Sequence, residues 1–398
     1  VKRLGTSSLV VAAFIGPGTV LTAATAGVNF GFSLGWVLVF GTIAVFTLQA
    51  SSAALGIIAK QGLGDALRQR FRGTTLWWPV SLLVITGLWV GCAAFEVGNL
   101  LGATAGLSIL LPGVEPRVLT AGITAAAVSV LLLDARAALR VLAGLVGLMS
   151  VVFVGAAIVA PIPWGAALTG LLRPSVPAGS LVTVVALVGT TVVPYNLFLH
   201  ASATRRYWDG AADPRAAWRQ ELRGMALFIP LGGLISFAIL LTGAMLPSGT
   251  SITKAADVAT MLEPVAGSAA RWLFGAGLFA AGFTSSITAP MAAAAAVREL
   301  FGWDRSVQHR DRMVWGSVVA TGVAFSLLGL SPLAAIIAAQ AANGVLLPVI
   351  ATLLLIAALR VPGAPLPRWF RGLGIAVVGV AAVLGAFTLR WVWLQFAG

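Results

Sequence analysis

The chain has 398 residues; 59% are hydrophobic, 9% are charged, and the formal net charge is +13. Soluble domains carry about 25% charged residues, so this composition excludes a soluble globular enzyme, a disordered chain and a nucleic-acid-binding domain. It fits an all-α membrane protein with many spans.

Eleven apolar stretches are long enough to cross a hydrocarbon core of about 30 Å, which takes roughly 20 helical residues. They run approximately over 7–30, 35–59, 77–105, 118–133, 140–160, 179–202, 224–246, 269–297, 313–330, 332–357 and 372–394. A bilayer leaves exposed backbone without hydrogen-bond partners, so spans are helices or closed barrels. The runs lack the alternation a barrel needs. With the N-terminus in the cytoplasm, 20 of the 25 Lys and Arg fall on the inner side, and only Arg117, Arg173, Lys254, Arg271 and Arg390 lie outside. That asymmetry is the positive-inside pattern, and it accounts for most of the basic excess without nucleic acid. The chain opens on Val1 rather than Met, which leaves open whether an N-terminal piece precedes it; no signal peptide is expected before the first span.

Span 1 is interrupted at Gly16-Pro17-Gly18-Thr19 and span 6 at Gly189-Thr190-Thr191-Val192-Val193-Pro194-Tyr195-Asn196. Proline removes a backbone donor and clashes with the preceding turn, and glycine weakens a helix interior. In lipid such breaks are tolerated where they line a cavity or are buried in protein. The two breaks lie five spans apart, an odd number, so two five-helix repeats would run in opposite senses. This points to an inverted-repeat transporter with its site at the midplane. A single transmembrane domain over 1–398 is expected, with repeats at about 7–160 and 179–357 and an extra helix at about 372–394.

Glu96 lies deep in span 3, with Asn99 one turn on and on the same side. Intramembrane carboxylates are rare and usually face a cavity or a proton path. His200 lies in the inner half of span 6, where an imidazole suits proton transfer. Gln340, in span 10, is a polar residue that can bond a neighbouring helix. Asp134, beside Arg136, reads as a surface residue. Trp77, Trp78, Trp369, Trp391 and Trp393 fall near span ends, as interfacial anchors do, and the run Ala292–Ala296 reads as close helix packing.

Other chemistry finds no support. Cys92 has no partner for an internal disulfide, and with two histidines, His200 and His309, there is no zinc or iron–sulfur spacing. No Walker A sequence is present, and no nucleophile–base pair can be assembled. No cofactor and no enzymatic activity are expected, and the residues alone name no metal.

Val193-Pro194-Tyr195-Asn196-Leu197-Phe198-Leu199-His200-Ala201-Ser202 resembles the sixth-helix signature of Nramp divalent-metal transporters, Met-Pro-His-Asn-Leu-Tyr-Leu-His-Ser. Gly16-Pro17-Gly18-Thr19 resembles their first-helix Asp-Pro-Gly-Asn. Gly277–Gly282 with Ser285-Ser286-Ile287-Thr288 in span 8, and Gln340 in span 10, are also similar to the family; the likeness at Gln340 implies that it reaches the central site. The resemblance runs from span 1 to span 11. It implies a LeuT-like 5+5 inverted repeat with an eleventh helix, helices 1 and 6 broken, and proton-linked transport of a divalent metal.

The departures fall at the family's metal-binding side chains. Where it has Asp, Asn and Met, this chain has Gly16, Thr19 and Val193. The first histidine of the sixth-helix motif is Tyr195, while the second is kept as His200. The acidic pair the family uses in proton movement aligns with Glu96 and Asn99. Substrate contacts are therefore expected from Gly16, Pro17, Gly18, Thr19, Thr190, Thr191, Val193, Tyr195, Asn196 and Gln340, and proton coupling from Glu96, Asn99 and His200. A site of hydroxyls and carbonyls supplies no negative charge, and desolvating a bare divalent ion there is very costly; a hydrated Mg²⁺ that keeps its waters is less demanding. Half-helix N-termini also attract anions, so three readings stand. They are a proton-linked carrier of Mn, Fe or hydrated Mg, a carrier of a small organic acid or amino-acid-like solute, and a non-transporting membrane receptor. A bacterial inner membrane is the expected location, with the lipid bilayer, the transported solute or cation, and protons as partners.

Overall fold

The computed structural model describes residues 15–133, 136–246, 252, 255–304, 308–328, 331–361 and 366–397. Its helices, in chain order, are α1 (Pro17–Phe30), α2 (Gly35–Ile57), α3 (Leu63–Phe71), α4 (Trp77–Leu110), α5 (Pro116–Leu133), α6 (Arg136–Val159) and α7 (Trp164–Leu172). The second half holds α8 (Leu181–Thr191), α9 (Pro194–Tyr207), α10 (Pro214–Ala244), α11 (Ala270–Phe301), α12 (Gln308–Ser326), α13 (Pro332–Ala358) and α14 (Arg368–Ala397), with short helical turns over 255–269. No strand occurs among the described residues.

Each expected span coincides with a helix, and span 6 with the pair α8 and α9. Seven helical stretches among the described residues are long and apolar enough to cross a membrane. Pro116–Leu132 and Val146–Val159 are apolar but shorter. Residues 1–14 lie outside the described set, as do Asp134 and the side chains of Trp391 and Trp393. α12 opens on Arg310, Asp311 and Arg312, which lowers its apolarity. Trp78 and Trp369 are exposed near span ends, as anchoring at an interface requires.

Two short helices escaped the sequence reading. α3 and α7 have nine residues each, too few for a span. α10 also starts at Pro214, ten residues before the expected span. Asp213 caps it, its carboxylate accepting from the backbone N–H groups of Arg215 at 2.8 Å and Ala216 at 3.1 Å. These bonds, that of Ala216 first, hold the Asp213 carboxyl below the usual carboxylate range.

In lipid, tails are as apolar as leucine, so helix association depends on close packing rather than on the hydrophobic effect. Small residues provide it here. Gly27 of α1 lies against Leu240 and Gly243 of α10, and Gly282 of α11 against the backbone of Asn99 and Ala103 of α4. Ala292, Ala293, Ala294 and Ala296 are buried in α11, which packs more extensively on α4 than any other pair of elements. α1 lies inside this frame, touching α4, α8, α10 and α13.

Candidate functional site

The two interruptions meet. Gly16 precedes α1 in an extended conformation (φ −95°, ψ 176°), and Pro17 occupies the first turn. In span 6, α8 stops at Thr191, Val192 and Val193 leave the helical region, and Pro194 restarts the chain as α9. Proline suits the first turn of a helix, where its missing N–H would have no partner. The break in span 6 is thus two residues long, and Gly189, Thr190 and Thr191 belong to the last turn of α8.

Thr19 and Thr190 share a hydrogen bond of 3.0 Å between their hydroxyls, joining the breaks across 171 residues of sequence. Both are buried. The side-chain amide of Gln340, on α13, lies against Gly18 so closely that a Cβ there would run into it, and Thr190 Oγ1 would be 3.1 Å from the same atom. Only glycine admits this approach. Gly189 does the same for the backbones of α8 and α13, since its Cβ would collide with the Gln340 carbonyl. Gln340 is buried, and its Oε1 has no hydrogen-bond partner.

A small cavity opens beside Thr19 and Thr190, and Gln340 lies behind Gly18 outside its lining. Gly16, Gly18, Thr19, Asn99, Thr190, Val193 and Tyr195 line it, with Phe95 and Ser285. Its volume is about 10 Å³, near the minimum of ~10–15 Å³ for one water. Asn99 Nδ2 has no partner. Tyr195 packs edge-on to Phe95 with ring centroids 5.4 Å apart. The last carbonyls of α8 have no intrahelical partners by the rule for helix ends, and they bring partial negative charge to the break. Among the described residues no three His, Cys, Asp or Glu side chains group as a metal site.

Other expected residues face elsewhere. Thr191 donates to the Leu187 carbonyl at 2.6 Å and lies against Gly41 of α2; adjacent helical positions point about 100° apart, so Thr190 faces the cavity and Thr191 does not. Pro17 packs on Gly102 of α4. Asn196 is half-buried, with Oδ1 unpartnered, and does not line the cavity. Glu96 is fully buried beneath Gly322 of α12, close to Cys92, Asn99 and Tyr195, and neither of its oxygens makes a hydrogen bond of normal geometry. His200 stands apart, buried near Glu221 of α10, which accepts from Trp208 Nε1 at 2.9 Å.

One group absent from the sequence reading closes the arginine-rich end. Asp65 of α3 accepts from Arg68 at 2.9 Å and from Arg205 of α9 at 2.6 Å. Arg68 donates to the Glu299 carbonyl at 2.8 Å, and the Ser202 hydroxyl bonds the Glu299 carboxylate. Arg298 pairs with Asp311 of α12. Thus α3 seals a seam between α9 and α11. We expect Asp65→Asn, which removes the charge both arginines share, to loosen this seam. Thiol labelling of an Ala201→Cys, Cys92→Ala protein should rise roughly fivefold, the equivalent of about 1 kcal/mol. Unchanged labelling would mean the seam is held by packing alone.

Comparison with known proteins decides the family. The sequence profile of the Nramp family, described as natural resistance-associated macrophage protein-like, matches residues 7–390. This chain belongs to the Nramp family. The divalent metal cation transporter MntH of Verminephrobacter eiseniae is 29% identical over 297 residues, covering 72% of this chain and 66% of that protein. The MntH of Klebsiella pneumoniae is 26% identical over 401 residues, covering 97% and 93%. The Eremococcus coleocola manganese transporter, solved with an aromatic bis-isothiourea compound, superposes with a TM-score of 0.79 at 20% identity, covering 99% of this chain and 87% of that one. MhsT in complex with L-phenylalanine gives 0.63 at 15% identity, covering 98% of each chain. These likenesses establish the Nramp chain as a LeuT-like all-helical fold.

Proposed function

We propose that this Nramp protein is a secondary transporter of a divalent metal cation, which it carries with part of its water shell. The juxtaposition of the Thr19 and Thr190 hydroxyls at the meeting of the two breaks, with the Gln340 side chain behind Gly18, carries this reading. Family membership and the MntH relatives support the metal, and also support a carrier rather than a catalyst. Hydroxyl and amide oxygens are hard, neutral ligands. They suit an ion that keeps several waters, as Mg²⁺ does, better than one that needs a thioether or imidazole.

The cavity has room for about one water at most, far less than a hydrated ion needs. The arrangement is therefore closed, and the site must widen to load. Alternating access would open the α3 seam on one side and part the helices around α1 on the other. Protons would pass by Glu96, with Asn99 beside it, and by His200 with Glu221.

The N-terminus is assigned to the cytoplasm of a bacterial cell membrane, with repeats at about 7–160 and 179–357. One observation agrees with the span count behind this topology. Arg68, Arg205 and Arg298, given to the inner side by sequence, meet at one end of the molecule.

Thr19→Val keeps the side chain's shape and removes its hydroxyl. Uptake of Mn²⁺ and Mg²⁺ into proteoliposomes should fall about tenfold, as expected for losing one oxygen ligand worth ~1.4 kcal/mol. Uptake equal to that of the unaltered protein would place the ion elsewhere.

A further inference from the structure

We propose that the arginine-rich face holds a site for an anionic phospholipid, in a groove between the end of α2, α3 and the end of α13. The groove has a volume of about 260 Å³. Leu55, Leu67 and Ile356 contribute apolar lining, while Arg70 and Arg360 supply positive charge.

Both arginines are exposed, and neither has an acidic partner among the described residues. Arg68, Arg205 and Arg298 on the same face are each paired with a carboxylate. Arg70 instead lies 5.9 Å from the ring of Phe71, and residues 362–365, which follow Arg360 closely, contain no acid. The Gln61 side chain donates to Gln69 at 2.8 Å, so part of the polar wall is already bonded to itself and the unmatched charge is that of the arginines.

A phosphate group alone would satisfy the arginines and leave the apolar lining unused. An amphiphile with a phosphodiester head and acyl chains matches both, at the ends of two membrane spans where such a molecule lies. Basic pockets between transmembrane helices bind acidic head groups for this reason. The groove also shares an element with the seam. α3 gives Ala66, Leu67, Gln69 and Arg70 to the groove and Asp65 and Arg68 to the contacts with α9 and α11. A lipid seated there holds α3 in its docked position. The proposal goes beyond the transport reading and does not depend on which ion is carried.

The test is lipid binding to the full chain purified in detergent, followed by native mass spectrometry and thermal unfolding. The probes are phosphatidylglycerol, phosphatidylethanolamine and inorganic phosphate. Phosphatidylglycerol should bind saturably and raise the unfolding temperature. Arg70→Gln with Arg360→Gln should weaken it about thirtyfold, from two arginines near a charged head group. Arg70→Lys with Arg360→Lys should retain most of the binding, which separates charge from misfolding. Equal binding of phosphatidylethanolamine, or phosphatidylglycerol affinity unchanged in the glutamine protein, would overturn the proposal. Inorganic phosphate displacing phosphatidylglycerol would also overturn it, by making the groove a soluble-anion site.

Discussion

Gly16→Asp is expected to raise Mn²⁺ affinity about a hundredfold. By the resemblance of Gly16-Pro17-Gly18-Thr19 to the family's Asp-Pro-Gly-Asn, Gly16 falls at the position of a metal-binding aspartate, and its conformation, with φ −95°, is open to any residue. The space allows the change. A Cβ at Gly16 would meet only Ser285 Oγ, at 3.5 Å, an ordinary contact. Gly16 lines the cavity, so the new carboxylate would stand beside the ion. Two unit charges 4 Å apart interact by about 4 kcal/mol at an effective dielectric constant of 20. A dication doubles this, and loss of water from the carboxylate takes part of it back, leaving a net gain of ~3 kcal/mol, or roughly a hundredfold. Calorimetric titration of the variant beside the unaltered protein measures it. Equal affinities would show that the ion does not approach the break in span 1.

Glu96→Gln should reduce uptake driven by a pH gradient at least tenfold while leaving metal binding and expression intact. Glu96 is fully buried, with no hydrogen-bond partner of normal geometry on either oxygen. Burying an unpaired charge is very costly, so the carboxyl gains and loses its proton only as its surroundings change. That dependence suits a coupling group. Glutamine keeps the shape beneath Gly322 and cannot release a proton in this way, so the fold survives and the coupling does not. Driven uptake at the original rate would assign the coupling to another group, with His200 and Glu221 the first to examine.

The spans and both breaks were legible in the sequence because their causes are local. Apolar length sets a span, and Pro17 and Pro194 set the starts of α1 and α9. The contacts that make a site from the breaks were not legible. Thr19 reaches Thr190 across 171 residues, and Gln340 reaches Gly18 only once α13 is docked. Thr190 and Thr191 looked alike in sequence, yet the turn of α8 sends one to the cavity and the other to α2. Phe95 and Ser285 enter the lining through α4 and α11, and apolarity or a single hydroxyl gave no sign of it. Glu221 lies between Arg219 and Arg223, ahead of the expected start of the seventh span, and the earlier start of α10 buries it beside His200. α3 is too short and too polar to register as a span, although it carries both the seam and the lipid groove.

This Nramp protein should bind a divalent cation through neutral oxygen ligands. The most direct measurement is calorimetric titration of the purified protein with Mn²⁺ and Mg²⁺, in parallel with small carboxylates and amino acids. Saturable binding of a divalent cation, weakened by Thr19→Val, is expected, with no heat from the organic solutes. Silence towards both metals, with saturable binding of an organic acid, would contradict it and make the N-termini of α1 and α9 an anion site.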